Sequence, residues 1–246
     1  MDGGIRKSSA THPAHSCGSF RALLEGVRTF QRDVFPKQEV LFQQLATNQN
    51  PDYLFVTCAD SRIDPCLITQ TVPGELFICR NAGNIIPAFG SAAGGVSATI
   101  EYAVMVLGIK HIIICGHSDC GAMKGVLAPE KVSHLRTVST WLNYGESARL
   151  VVSSKKEQRS EQQMLQEVTE QNVIAQLTNL QTHPSVAAGM HMGTLQIHGW
   201  IYDIESGNVR MYHPEAKSFD CINGDESLPE VAGRDAFAPR LPSAAQ

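Results

Sequence analysis

The chain has 246 residues, of which 43% are hydrophobic and 18% charged. That length excludes a disulfide-stapled miniprotein and suits one large α/β domain or two small ones. A net charge of −4 argues against a basic nucleic-acid footprint and against a polybasic membrane patch.

Residues 1–19 are polar and small, rich in Ser, Gly and His, and read as a tail. They contain no apolar signal-peptide core. With seven cysteines along the chain, this reads as a cytosolic protein with reduced thiols. No apolar run reaches the about 18 residues that a membrane span needs. Phe20, Leu23, Leu24 and Val27 have the spacing of an amphipathic helix. Pro36 is expected to interrupt, with Val40, Leu41 and Leu45 starting a second helical segment that ends near Asn48.

Tyr53–Thr57 is a short continuous apolar run after the turn signal Asn50-Pro51-Asp52. It predicts a strand buried on both faces, as in a parallel sheet. Leu76–Cys79 and His111–Cys115 predict two more. Between them Val96, Ile100, Ala103, Val104 and Leu107 share a helix face, and Gly108 stands where a C-cap belongs. Strand, helix, strand with short links is a βαβ unit. Residues 153–166 read as a solvated helix surface or loop. Val173, Leu177 and Leu180 predict a helix stopping at His183-Pro184, and Leu195–Ile204 and Val209–Tyr212 predict a hairpin about Ser206-Gly207-Asn208. The expected class is α/β, a mainly parallel sheet flanked by helices. Residues 20–222 are expected to form one domain, followed by a loose tail over 223–246.

Two segments lie where the strands of an open α/β sheet present ligand sites. They are Cys58-Ala59-Asp60-Ser61-Arg62 and Cys115-Gly116-His117-Ser118-Asp119-Cys120-Gly121. Two thiolates and an imidazole from Cys58, His117 and Cys120 suit Zn²⁺ with an open fourth position. No second Cys-x-x-Cys completes a closed structural site. The competing readings are small buried cysteines with a hydrogen-bonded loop histidine, and a Cys120–His117 nucleophile couple. Asp60 and Arg62, two residues apart, suit a charge-assisted pair beside a metal or a plain loop salt bridge.

The motifs CADSR (58–62), PGELF (73–77), RNAGN (80–84), IEYAV (100–104) and CGHSDCGAMKG (115–125) together resemble the β-class carbonic anhydrases. The resemblance runs from about residue 20 to 213. Through DPCLITQ (64–70), RNAGNIIP and LQIHGWIY (195–202) it points to the plant-like and cyanobacterial carboxysomal branch. It implies reversible hydration of carbon dioxide to bicarbonate and a proton, by attack of zinc-bound hydroxide, with one Zn²⁺ per subunit on Cys58, His117 and Cys120. It further implies an Asp60–Arg62 catalytic dyad and a substrate pocket of Gln49, Phe77, Ala82, Tyr102 and Gly121. The pocket is expected to be roomier at Ala82, where the family commonly has a bulkier residue.

A homodimer or higher oligomer with a shared site is implied too, with the N-terminal helices packing on a partner subunit. That agrees with a charge content below the roughly 25% usual for soluble domains. Members of the family that close the site at low pH carry Trp three residues before the first zinc cysteine. Phe55 stands there, so the open arrangement is expected, with Asp60 held by Arg62. Two thiolates donate more charge than two imidazoles would, so activity is expected to grow above neutral pH. The alternatives are a CS₂ or carbonyl sulfide hydrolase on the same fold, and a carboxysome-associated module that binds shell or scaffold proteins. A purely structural zinc protein is opposed by the missing fourth ligand. The expected location is the cytoplasm or the interior of a carboxysome, with no nucleic-acid or membrane partner.

Overall fold

The computed structural model describes residues 19–91 and 94–222. The expected tail over 1–19, apart from Ser19, and the tail over 223–246 lie outside these residues. Contacts group the chain into two compact units, Met1–Gln49 and Asn50–Gln246. That boundary falls inside the span 20–222 that the sequence reads as one domain.

In the N-terminal unit, helix α1 (Phe20–Thr29) starts at Ser19, whose hydroxyl accepts from the Arg21 N–H. The expected break at Pro36 does not interrupt the helical path. A π-helical turn, Phe30–Val34, and a 3₁₀ turn, Phe35–Gln38, lead directly into α2 (Glu39–Leu45). Pro36 sits at the start of the 3₁₀ turn, where its missing N–H costs no bond. Phe30, Phe35 and Phe42 pack as a ring cluster, with centroids 5.3–6.1 Å apart. Even so, no residue of α1 or α2 is buried.

The second unit is built on a six-stranded sheet in the order β2-β1-β3-β4-β5-β6. Its strands are β1 (Tyr53–Cys58), β2 (Leu76–Asn81), β3 (His111–His117), β4 (Gln196–Tyr202), β5 (Val209–His213) and β6 (Ser218–Cys221). The first four are mutually parallel, and β5 and β6 add antiparallel at the edge. β6 was not anticipated. It is a four-residue edge strand reached through Lys217 in a left-handed conformation.

The helices between are α3 (Pro65–Thr69), α4 (Gly95–Met105), α5 (Gly121–Leu127), α6 (Pro129–Val132), α7 (Arg136–Leu142), α8 (Glu146–Ser153), α9 (Glu161–Gln181) and α10 (Pro184–His191). Residues 153–166 divide between the end of α8, a link and the start of α9, whose Ser160 and Gln163 form a capping box.

The inner strands bury both faces, as their unbroken apolar runs require. On one face Leu54, Val56, Ile112 and Ile114 pack with Ile100 and Ala103 of α4 and Val173, Leu177 and Leu180 of α9. On the other, Phe55, Ile113 and Cys115 pack with Leu76, Trp200 and Tyr202. Ile114 is fully buried, and its burial stabilises the fold by about 2 kcal/mol. α9 reaches the sheet over Gly199, where a Cβ would stand 2.8 Å from Val173 Cγ1. This core fixes the register of β1 and β3 and so the positions of the residues at their ends. Cys58 and His117 are the last residues of β1 and β3, not loop residues beyond them.

Candidate metal centre

Parallel pairing sets Thr57 opposite Cys115, so β1 and β3 present Cys58 and His117 at the same sheet edge. Two residues after β3, Asp119 turns the chain through a left-handed conformation (φ +56°) and Cys120 caps α5. Asp tolerates that conformation better than most residues. The turn folds Cys120 back toward Cys58, with the two sulfurs 3.9 Å apart.

His117 Nδ1 is 2.8 Å from the Ser118 carbonyl, which can only accept. Nδ1 therefore carries the proton and Nε2 holds a free lone pair. That Nε2 is buried without a hydrogen-bond partner. Cys58 Sγ, His117 Nε2 or Nδ1, and Cys120 Sγ all lie within 4.8 Å of one another, the one such group of three or more His, Cys, Asp or Glu among the described residues.

Two thiolates at about 2.3 Å from a tetrahedral Zn²⁺ stand about 3.8 Å apart, close to the sulfur separation here. Two buried thiolates this close repel unless they share a proton or a cation. The Cys58 thiol is pulled down by its bond with Cys120, by His117 and by the Gly83 and Asp60 N–H groups, against burial. Cys120 is pushed up by the same shared bond and by burial. An orphaned buried nitrogen facing two cysteines is a donor set for a borderline-soft metal. The residues fit zinc.

Asp60 and Arg62 follow β1. Arg62 donates from its backbone N–H (3.0 Å) and Nε (2.9 Å) to Asp60 Oδ1, and from a terminal guanidinium nitrogen to Oδ2 (2.8 Å). This fork holds the Asp60 carboxyl well below the usual carboxylate range. Asp60 Oδ2 stands 3.9 Å from His117 Nε2, beside the donor set but beyond hydrogen-bond reach. Arg80 staples the loop from below, donating to the carbonyls of Cys58 (3.0 Å) and Asp60 (2.6 Å).

Sequence reasoning missed Asp119. Its carboxylate accepts from Arg62 (3.0 Å) and pairs with Lys124. Arg62 thus bridges the two motif loops. The signal was an acid inside His-Ser-Asp-Cys, facing a loop whose arginine has more donors than Asp60 can use.

The expected pocket residues are placed less simply. Phe77 and Tyr102 meet as a ring pair, with centroids 6.0 Å apart. Phe77 sits opposite Leu54, however, four positions before Cys58 in the register, or about 13 Å along the strand. Ala82 is exposed just past β2, and its carbonyl accepts from Trp141 Nε1 (2.8 Å). Gly121 is the exposed first residue of α5, and Gln49 is an exposed residue of the N-terminal unit. A groove of about 1120 Å³ runs past Arg62, Asp119 and Lys124 toward Asp203 and Arg210. Its charged wall does not include the two sulfurs or His117.

The family model for carbonic anhydrase matches residues 53–209. A carbonic anhydrase of Pseudomonas aeruginosa is 50% identical over 218 residues, covering 89% of this chain and 99% of that protein. The solved β-carbonic anhydrase CcaA superposes with a TM-score of 0.80 at 42% identity, over 82% of this chain and 98% of that one. A structure from Sordaria macrospora, described as one of two tetrameric β-carbonic anhydrases, has a TM-score of 0.69 at 28% identity, over 78% and 95%. The chain belongs to the β-carbonic anhydrase family, lyases that hydrate carbon dioxide.

Proposed function

We propose that the protein catalyses CO₂ + H₂O ⇌ HCO₃⁻ + H⁺ with one Zn²⁺ held by Cys58, His117 and Cys120. The observation that carries this reading is the convergence of two sulfurs and the unpartnered buried Nε2 of His117, beside a carboxylate that Arg62 keeps ionised. When bound, zinc acidifies water at neutral pH.

The chain's own residues do the rest. Asp60 is an acceptor only, because Arg62 supplies its donors. It takes a hydrogen bond from the reacting water and so aims the oxygen lone pair at the CO₂ carbon. Arg62, anchored on Asp119, holds Asp60 away from the donor set, which leaves the fourth position to water. Gly121 at the start of α5 offers its N–H to the bicarbonate oxygen.

An apolar wall for CO₂ is completed by a second copy of the chain, which contributes Phe77 and Tyr102, with Ala82 leaving room. Three observations support this. Phe77 lies on the neighbouring strand four register positions before its own Cys58, α1 and α2 carry no buried residue, and a family member at TM-score 0.69 is tetrameric. Among the described residues no helix is long and apolar enough to cross a membrane.

Stopped-flow assays of CO₂, CS₂ and carbonyl sulfide on one zinc-quantified preparation test the reading. CO₂ hydration is expected to dominate. Turnover of the sulfur compounds without CO₂ hydration would reassign the substrate.

A further inference from the structure

We infer that Asn172 and Gln176 of α9 are positioning residues for the metal site, holding the Gly83 N–H on the sulfur of Cys58. The Gly83 N–H is 3.4 Å from Cys58 Sγ. The carbonyl of the same glycine accepts from Asn172 Nδ2 at 3.0 Å. Asn172 Oδ1 accepts from Gln176 Nε2 at 2.9 Å, and Gln176 Oε1 accepts from the Ile86 N–H at 2.8 Å. Asn179 closes the set, donating to the Ile86 carbonyl at 2.9 Å and to Gln176 Oε1 at 3.2 Å.

Residues 172, 176 and 179 are four and three apart, so they share one helix face. Asn172 and Gln176 are fully buried. The bonds on Asn172 and Gln176 fix which way each amide faces. Flipping Asn172 would set its oxygen against the Gly83 carbonyl and its amine against that of Gln176. Segment 83–86 is therefore gripped at both ends by one rigid helix.

The grip reaches both thiols. Gly83 adopts φ +83°, and a Cβ there would lie 2.9 Å from Ala122 Cβ and 3.0 Å from Met123 Cε. Ala122 and Met123 form the turn after Cys120, and their N–H groups face its sulfur. The glycine loop is wedged between Cys58 and the segment that carries Cys120. A hydrogen bond to a ligating sulfur withdraws charge from it and fixes its direction, which tunes the metal it binds. Buried amides cost stability unless satisfied, and this set is spent on the four-residue segment beside the donor atoms.

The inference rests on the zinc reading above. Zinc content of the unsubstituted chain tests that reading alone, and variants compared with it test the inference. In Asn172→Ala, zinc affinity by chelator competition is expected to fall about 10- to 100-fold. The sulfur-to-cobalt charge-transfer band of the Co²⁺-substituted protein is expected to shift. Gln176→Met, which keeps volume and leaves Asn172 facing Gly83, is expected to move both in the same direction by less. Leu177→Ala, on the same helix but packed against Gly199, is expected to lower the melting midpoint and leave both readouts unchanged. Parental zinc affinity and an unmoved band in either amide variant, or equal changes in Leu177→Ala, would overturn the inference.

Discussion

Strand β3 carries a histidine at each end, and the two have opposite fates. At its start, His111 Nδ1 lies 3.1 Å from His198 Nε2, and Tyr53 stacks on the ring at 5.6 Å. Burial lowers both imidazoles, His198 to about 4, so the pair is neutral and each ring answers the other. At the far end, His117 spends Nδ1 on the Ser118 carbonyl and leaves Nε2 buried without a partner, among two sulfurs. Residue type is the same at both ends. What marks His117 as a candidate ligand, and His111 not, is an unspent lone pair with other donors converging on it.

The sharpest way to break this comparison is to remove a donor from the converging end. Cys58→Ser is expected to lower zinc affinity by more than the about 100-fold that an outer-shell change costs, and to abolish CO₂ hydration. Metal analysis and stopped-flow kinetics read both. The next largest effect is expected at Arg62. Arg62→Ala frees Asp60 to bind the metal, and hydration is expected to fall by about 100-fold, within the range of a lost acid–base partner. The Co²⁺ spectrum is expected to change with it.

Smaller again is Asp119→Asn. Asn accepts the left-handed backbone at 119 and removes only the charge that anchors Arg62. Exposed ion pairs contribute about 0.2–1 kcal/mol, so activity is expected to fall less than about fivefold at unchanged zinc content.

Beside the other end of β3, on β4, His198→Phe is expected to leave zinc and turnover unchanged and to alter only the pH dependence of stability. The folded His198 has a depressed pKa, so the unfolded chain binds more protons between about pH 6.5 and about 4. Stability from the neutral ring is complete above that window and is lost as pH falls through it. Melting midpoints across those pH values are expected to drop less steeply in the variant. An equal slope would remove the buried pair from the account.

The parallel strands were legible because β1 and β3 are buried on both faces, so their sequences are unbroken apolar runs. The donor triplet was legible because both motifs sit at strand ends. The boundary was misplaced: Cys58 and His117 still make ladder pairs, which no apolar pattern marks. Pro36 was read as a break, yet a π turn followed by a 3₁₀ turn absorbs its missing N–H. Asp119 and the α9 amides were not legible as parts of a site. Asn172 contacts a loop 89 residues earlier in the chain, and no local pattern marks Asn172 and Gln176 as buried. The available sign was polar residues at 172, 176 and 179 on the same stretch as Val173, Leu177 and Leu180.

The central claim is that hydration depends on a metal held by Cys58, His117 and Cys120. The most direct measurement is CO₂ hydration by the unsubstituted chain before metal removal, after chelation, and after stoichiometric zinc is returned. One zinc per chain is expected, with activity lost on removal and recovered on return. Undiminished hydration by the metal-free protein, or full activity with no zinc bound at the start, would contradict it.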